Sequence, residues 1–208
     1  MCEKLKEIIE KYGSDKVLSN YYKIYDKIFN EIKNDVNSVL EIGVGSLTRH
    51  HPSSFKGNLR HYPHYKPGGS LRAWRDYFPN AEIFGVDVAE DCRLDEERIL
   101  TFIFDSTDSK KCDDELKELK FDIIIDDGLH TAVAQRATIK NMFHRVKNNG
   151  IYVIEDCGGA GDGKNVFVDY RQDIEEIIMG HEYYFRSNIF FVRKNNSNKG
   201  LVSRQEFL

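Results

Sequence analysis

The chain has 208 residues, of which 40% are hydrophobic and 12% aromatic, enough for one α/β domain with its own core and too apolar for a disordered chain. Its formal net charge of −4 argues against general nucleic-acid binding, and no apolar run approaches the ~18 residues of a membrane span. Cys2, Cys92, Cys112 and Cys157 are scattered without a C-x-x-C pair, and the amphipathic start MCEKLKEIIEKYG has no signal-peptide block; both point to a reduced, cytoplasmic protein.

In chain order, residues 3–11 and about 20–33 read as helices joined by KYGSDK, forming a helical cap over residues 1–35. VLEIGVG (39–45) is a strand running into a glycine turn. An inserted loop (46–68) follows, then a helix opening at GGSLRAWRDYF with Ser70 as N-cap. AEIFGVDV (81–88) and ILTFIFDSTD (99–108) are further strands, and DDELKELK (113–120) is a charged helix. FDIIIDDGLH (121–130) carries a β-branched run of the kind buried on both faces, ending in two acids, a turn glycine and a histidine. TAVAQRATIKNMFHRVKNNG (131–150) has helical spacing with a stop at Gly150, and IYVIED (151–156) is the fifth strand. A glycine loop (158–164) precedes a helix near 168–180, although NVFVDY makes a poor helix start. HEYYF and NIFFVRK close the chain as an antiparallel hairpin before a polar tail (195–208). Strands alternating with helices imply a Rossmann-like, doubly wound, mostly parallel sheet with a C-terminal antiparallel strand, in a single domain spanning 1–208.

In such sheets ligands bind outside the carboxyl ends of the strands. All five of these strands carry acids at or near that end. VLEIGVG ends in Glu41, Gly43 and Gly45; a dinucleotide fingerprint would need a third glycine where Thr48 stands, which counts against a nucleotide-sugar oxidoreductase. Asp87 occupies the strand end from which an acid grips ribose hydroxyls, and Asp105 with Ser106 sits where an adenine ring could be addressed.

Together these residues resemble the class I S-adenosylmethionine-dependent methyltransferases. More narrowly, KYGSDK, VLEIGVG, GGSLRAWRDYFPNAEIFGVD, DDGLH and VIED are similar to motifs of the metal-dependent sugar O-methyltransferases of macrolide pathways (mycinamicin type), over roughly residues 11–156. That resemblance implies S-adenosyl-L-methionine held by Glu41, Gly43, Ser70, Asp87, Asp105 and Ser106, with Tyr12, Gly13 and Lys16 of KYGSDK closing over it. It also implies Mg²⁺ or another divalent metal on Asp127, Glu155 and Asp156, with His130 as catalytic base. Loop 46–68 is longer than the family suggests, so the acceptor beyond a small-molecule sugar or glycoconjugate stays open.

The chemistry is consistent with that implication. Three carboxylates at the ends of neighbouring strands repel one another unless a cation sits among them, and their hard oxygens suit magnesium. Successive strand residues face opposite ways, so Asp126 and Asp127 divide their tasks; Asp127, nearer the turn, goes to the metal, and Asp126 either supports the ligands from behind or serves the cofactor side. The alternatives are a non-catalytic S-adenosylmethionine-binding domain and the oxidoreductase already mentioned.

Other signals carry less. Gly158–Lys164 fits G-x-x-x-x-G-K, but Asn165 stands where a P-loop needs Ser or Thr; a lid beside the metal site fits better, with Lys164 able to reach substrate. His50, His51, His61 and His64 have no recognisable zinc spacing. Arg49, Lys56, Arg60, Lys66, Arg72 and Arg75 occur with no acid among them before Asp76, as a solvated face or as a lid for an anionic acceptor. Tyr21, Tyr22, Tyr25 and Trp74 read as core. Neither nucleic acid nor membrane is expected as a partner, and a homo-oligomer stays open.

Overall fold

The computed structural model describes residues 2–48, 55–157, 165–186 and 188–195. Arg49, His50, His51, the glycine loop with Lys164, and the tail from 196 onward lie outside the described residues. The chain forms two compact units, residues 1–103 and 104–208.

In the first unit, α1 (Cys2–Tyr12) and α2 (Tyr21–Phe29) are followed by β1 (Ser38–Ile42), α3 (Gly69–Tyr77), β2 (Glu82–Asp87), the two-residue β3 (Asp95–Glu96) and β4 (Ile99–Ile103). β1, β2 and β4 pair in parallel, and β3 joins β4 antiparallel, a strand the sequence did not announce. All five residues of β1 are buried, the polar Ser38 and Glu41 together with Val39, Leu40 and Ile42. Trp74 of α3 is fully buried and meets Tyr25 of α2 edge-on at 5.1 Å between ring centroids. Tyr21 and Tyr22 are buried as well, so the tyrosines of this cap are core.

Two helix boundaries here differ from expectation. α2 stops at Phe29 with Asn30 at its C-cap, and turns occupy the next residues. α3 is capped by Gly68 at φ +83°, whose N–H donates to Val44 O; Ser70 lies inside the helix rather than capping it.

The second unit runs α4 (Ser109–Leu116), β5 (Phe121–Asp126), α5 (Ala132–Met142), β6 (Val146–Ile154), α6 (Val166–Asp169), α7 (Arg171–Ile178), β7 (Glu182–Arg186) and β8 (Ile189–Arg193). β5 and β6 are parallel, while β8 pairs antiparallel with both β6 and β7. The closing hairpin is therefore as the sequence suggested.

α4 begins four residues earlier than read, because Asp108 accepts Lys111 N–H as its N-cap, and it ends at Lys117 in a left-handed φ of +45°. The stretch 131–150 is not one helix. α5 ends at Met142, and the remainder enters β6, whose register shifts against β5 so that Phe121 opposes Val146 but Ile123 opposes Ile151. Gly150 sits in that irregularity and is no helix stop: a Cβ there would lie 2.7 Å from Asp122 O. The segment NVFVDY does start a helix, since Asn165 accepts Phe167 N–H at 2.9 Å.

Candidate active site

In the first unit, β1 delivers Glu41 and then the glycine turn. Gly43 and Gly45 adopt φ values of +89° and +88°, open to glycine at little cost. The Tyr65 hydroxyl donates within this turn, 2.9 Å from Gly45 O and 3.1 Å from Val44 O, and a Cβ on Gly45 would lie 2.1 Å from it. Asp87, at the end of β2, accepts Val44 N–H at 2.8 Å and Ala89 N–H at 3.0 Å. Asp91 accepts from Ser46 Oγ and Leu47 N; burial opposes its charge, but these hydrogen bonds outweigh it and hold its pKa below the usual range. Tyr65 and Asp91 shape the turn, and no sequence signal marks either of them.

The KYGSDK segment lies against this region. Lys16 is buried, with Nζ 3.0 Å from Glu41 Oε1. Tyr12 ends α1 with its hydroxyl donating to Asp76 Oδ2 at 2.7 Å, and Gly13 turns the chain at φ +74°. A Cβ on Gly69, beside the buried Ser70, would lie 2.6 Å from Tyr12 O. A groove of about 570 Å³ is bounded by Tyr12, Gly13, Tyr62, His64, Lys66 and Glu96, among others. The basic run is less free than its spelling suggests. Arg72 makes a two-pronged ion pair with Glu96, and Arg75 contacts both Glu96 and the adjacent Asp76, so acids answer these two cations.

In the second unit, Asp105 turns back on itself, accepting Thr107 N–H at 2.8 Å and its hydroxyl at 2.7 Å. Ser106 Oγ lies 3.1 Å from Thr138 Oγ1, and its carbonyl accepts from Asn141. The parallel register sets Asp126 opposite Ile154, so Asp127 and Glu155 leave β5 and β6 side by side. Carboxylate oxygens of these two residues come within 4.8 Å of each other.

His130 stands between two of the acids. Its Nε2 is 3.1 Å from Asp127 Oδ1 and its Nδ1 is 3.3 Å from Asp156 Oδ2. A neutral imidazole has one N–H, so facing a carboxylate at each nitrogen favours the doubly protonated ring. Burial opposes that charge, but Asp127, Asp156 and Glu155 prevail and raise the pKa to about 9. Without another cation, His130 is itself the counter-ion of the acids. Asp126 is different. It is fully enclosed, accepts from Gly128 N at 3.3 Å and from Tyr152 Oη at 3.5 Å, and burial lifts its pKa to about 7. Asp127 has a ligand oxygen within 4.8 Å of one from Glu155 and, separately, of one from Asp156, so hard carboxylate oxygens of the kind a divalent cation takes meet at Asp127, with the His130 ring beside them. Neither of the candidate metal clusters among the described residues includes His61 or His64.

No family model matches the chain. It is 35% identical over 159 residues to the mycinamicin VI 2''-O-methyltransferase of Micromonospora griseorubida, covering 75% of this chain and 36% of that protein. Against the 8-demethyl-8-(2-methoxy-alpha-L-rhamnosyl)-tetracenomycin-C 3'-O-methyltransferase of Streptomyces olivaceus it is 33% identical over 178 residues, 82% of this chain and 42% of the relative. It superposes on the MycE methyltransferase of the mycinamycin biosynthetic pathway, solved with Mg and SAH, at a TM-score of 0.77 and 28% identity over 96% of this chain and 56% of that one. The fold is that of the class I methyltransferases. This methyltransferase fold agrees with the doubly wound, mostly parallel reading of the sequence. The chain spans less than half the length of these two curated relatives. No helix among the described residues is long and apolar enough to cross a membrane.

Proposed function

We propose that this chain is a methyltransferase domain over 1–208 that transfers a methyl group from S-adenosylmethionine to a hydroxyl of a sugar or sugar-containing metabolite, assisted by a divalent metal. The observation that carries the reading is the set of acids gathered on His130 at the ends of β5 and β6. The two relatives, named as O-methyltransferases of mycinamicin VI and of a rhamnosyl-tetracenomycin, support the acceptor class.

Asp127, Glu155 and Asp156 would hold the metal. When bound, it would supply the positive charge these acids need and would acidify a neighbouring hydroxyl. His130, no longer required as their counter-ion, then has a free lone pair to take the hydroxyl proton. S-adenosylmethionine, when bound, would supply the sulfonium methyl carbon to the acceptor oxygen and would leave as S-adenosylhomocysteine, the hydroxyl proton passing to His130. One of the two carboxylates beside the ring, Asp127 or Asp156, would accept the remaining imidazole N–H and orient the base, leaving the other nitrogen to the hydroxyl proton, and the surrounding residues would hold oxygen, carbon and sulfur in line. Cofactor-side roles are proposed for Tyr12, Gly13, Lys16, Glu41, Gly43, Ser70 and Asp87 in the first unit, and for Asp105, Ser106 and Asp126 in the second.

The test is a panel of glycosides incubated with isotopically labelled S-adenosylmethionine and magnesium. Transfer of label to a sugar oxygen is expected. Cofactor binding without transfer to any member would favour a non-catalytic binding domain, and quenching of nicotinamide fluorescence would favour an oxidoreductase.

A further inference from the structure

Gln135 has no part in the proposed chemistry, yet it touches the backbone of two proposed ligands. It lies one turn into α5, and its side chain is buried. Its Nε2 donates to Glu155 O at 2.9 Å and points to Asp156 O at 3.4 Å. Carbonyl oxygens only accept, so the amide must present its NH₂ group to this turn.

The turn needs such a hold. Asp156 sits at φ +51°, a left-handed conformation that a non-glycine residue keeps only when its surroundings impose it. One side of the turn is fixed to β5 by Glu155 N–H donating to Asp126 O at 2.9 Å. The other side is fixed to α5 by Gln135. The start of the same helix carries Thr131, whose hydroxyl caps Ala134 N–H, directly after His130. The base and the clamp on the ligand turn thus belong to one rigid segment, and Asp156 meets His130 from a backbone that Gln135 sets.

We propose that Gln135 is a positioning residue for the acid set: by holding the carbonyls of Glu155 and Asp156 it keeps their carboxylates in register with Asp127, and so sets divalent-cation affinity without supplying a carboxylate. This rests on the metal-assisted reading above. Partners behind a ligand set commonly account for about ten- to hundredfold in metal affinity.

The experiment is Mn²⁺ titration of the full chain followed by electron paramagnetic resonance, with Mg²⁺ calorimetry in parallel, on the parent and on Gln135→Met, which keeps length and apolar volume but loses both donors. A fall in Mn²⁺ affinity of about ten- to hundredfold, with S-adenosylmethionine affinity within about twofold of the parent, is expected. Unchanged Mn²⁺ affinity overturns the proposal, as does a parallel loss of both affinities, which would mark general disruption. Should the variant not fold, the parent's Gln135 side-chain amide resonance decides: it is expected to shift on Mg²⁺ addition with the calorimetric dissociation constant, and a resonance that stays still overturns the role. If the parent binds neither ion, the metal reading itself fails; if the parent binds and the variant binds equally, only the role of Gln135 fails.

Discussion

Lys16 Nζ lies 3.0 Å from Glu41 Oε1, and both side chains are buried in the first unit. The pair ties the KYGSDK segment to the end of β1, immediately before the glycine turn. Removing one partner of a buried ion pair strands the other charge, which typically costs about 3–5 kcal/mol, whereas replacing both partners by neutral groups costs much less. Lys16→Met is therefore expected to lose stability on that scale, and Lys16→Met with Glu41→Gln to regain much of it. Denaturant unfolding of the three proteins measures this; equal stability of Lys16→Met and the parent would show that the pair contributes nothing.

The Arg72–Glu96 pair gives a pH dependence with a definite sign. Hydrogen bonding from Arg72, opposed by partial burial, holds the Glu96 pKa below its ordinary value. A depressed folded-state pKa means the contribution is fully present above the unfolded value of about 4.3 and is lost as pH falls through the folded value. Because Glu96 is a third exposed, the effect is expected to stay under about 1 kcal/mol. Glu96→Gln should flatten the acid limb of the stability curve below about pH 4.3 and leave its slope at neutral pH unchanged. An identical acid limb in parent and variant would contradict the assignment.

His130 supplies a second titration, of opposite sign. In protein freed of metal by a chelator, its ring is expected to titrate near 9, raised by Asp127, Asp156 and Glu155 against the opposing effect of burial. Since the folded pKa exceeds the unfolded value of about 6.5, the stabilisation is complete below 6.5 and disappears as pH rises through 9. Imidazole proton shifts follow this directly. Asp127→Asn should lower the midpoint, and a parent ring that titrates at or below 6.5 would mean that the acids do not hold it as their counter-ion.

Much of this was legible in the residues because it depends on local pattern. The buried run of β5, the acids at strand ends and the closing hairpin follow from periodicity and from where a parallel sheet must stop. Helix limits were less legible, since they turn on single caps: Asp108 moves α4 forward, Gly68 displaces Ser70, and Asn165 rescues a start that composition disfavours. The irregular start of β6 was invisible because Lys147, Asn148 and Asn149 break a strand pattern without making a helical one. Tertiary partners were beyond reach altogether. Nothing in the spelling of 46–75 says that Arg72 will face Glu96 or that Tyr65 will close on the glycine turn, and nothing in that of 131–150 says that Gln135 will reach Glu155.

Methyl transfer to an acceptor glycoside, measured in chelator and again after magnesium is restored, tests the central proposal most directly when run on the parent and on Asp127→Ala. Loss of turnover in chelator, recovery by the parent on adding magnesium and no recovery by Asp127→Ala are predicted. Full turnover in chelator, or normal turnover by Asp127→Ala, would contradict a metal-assisted transfer at Asp127, Glu155 and Asp156.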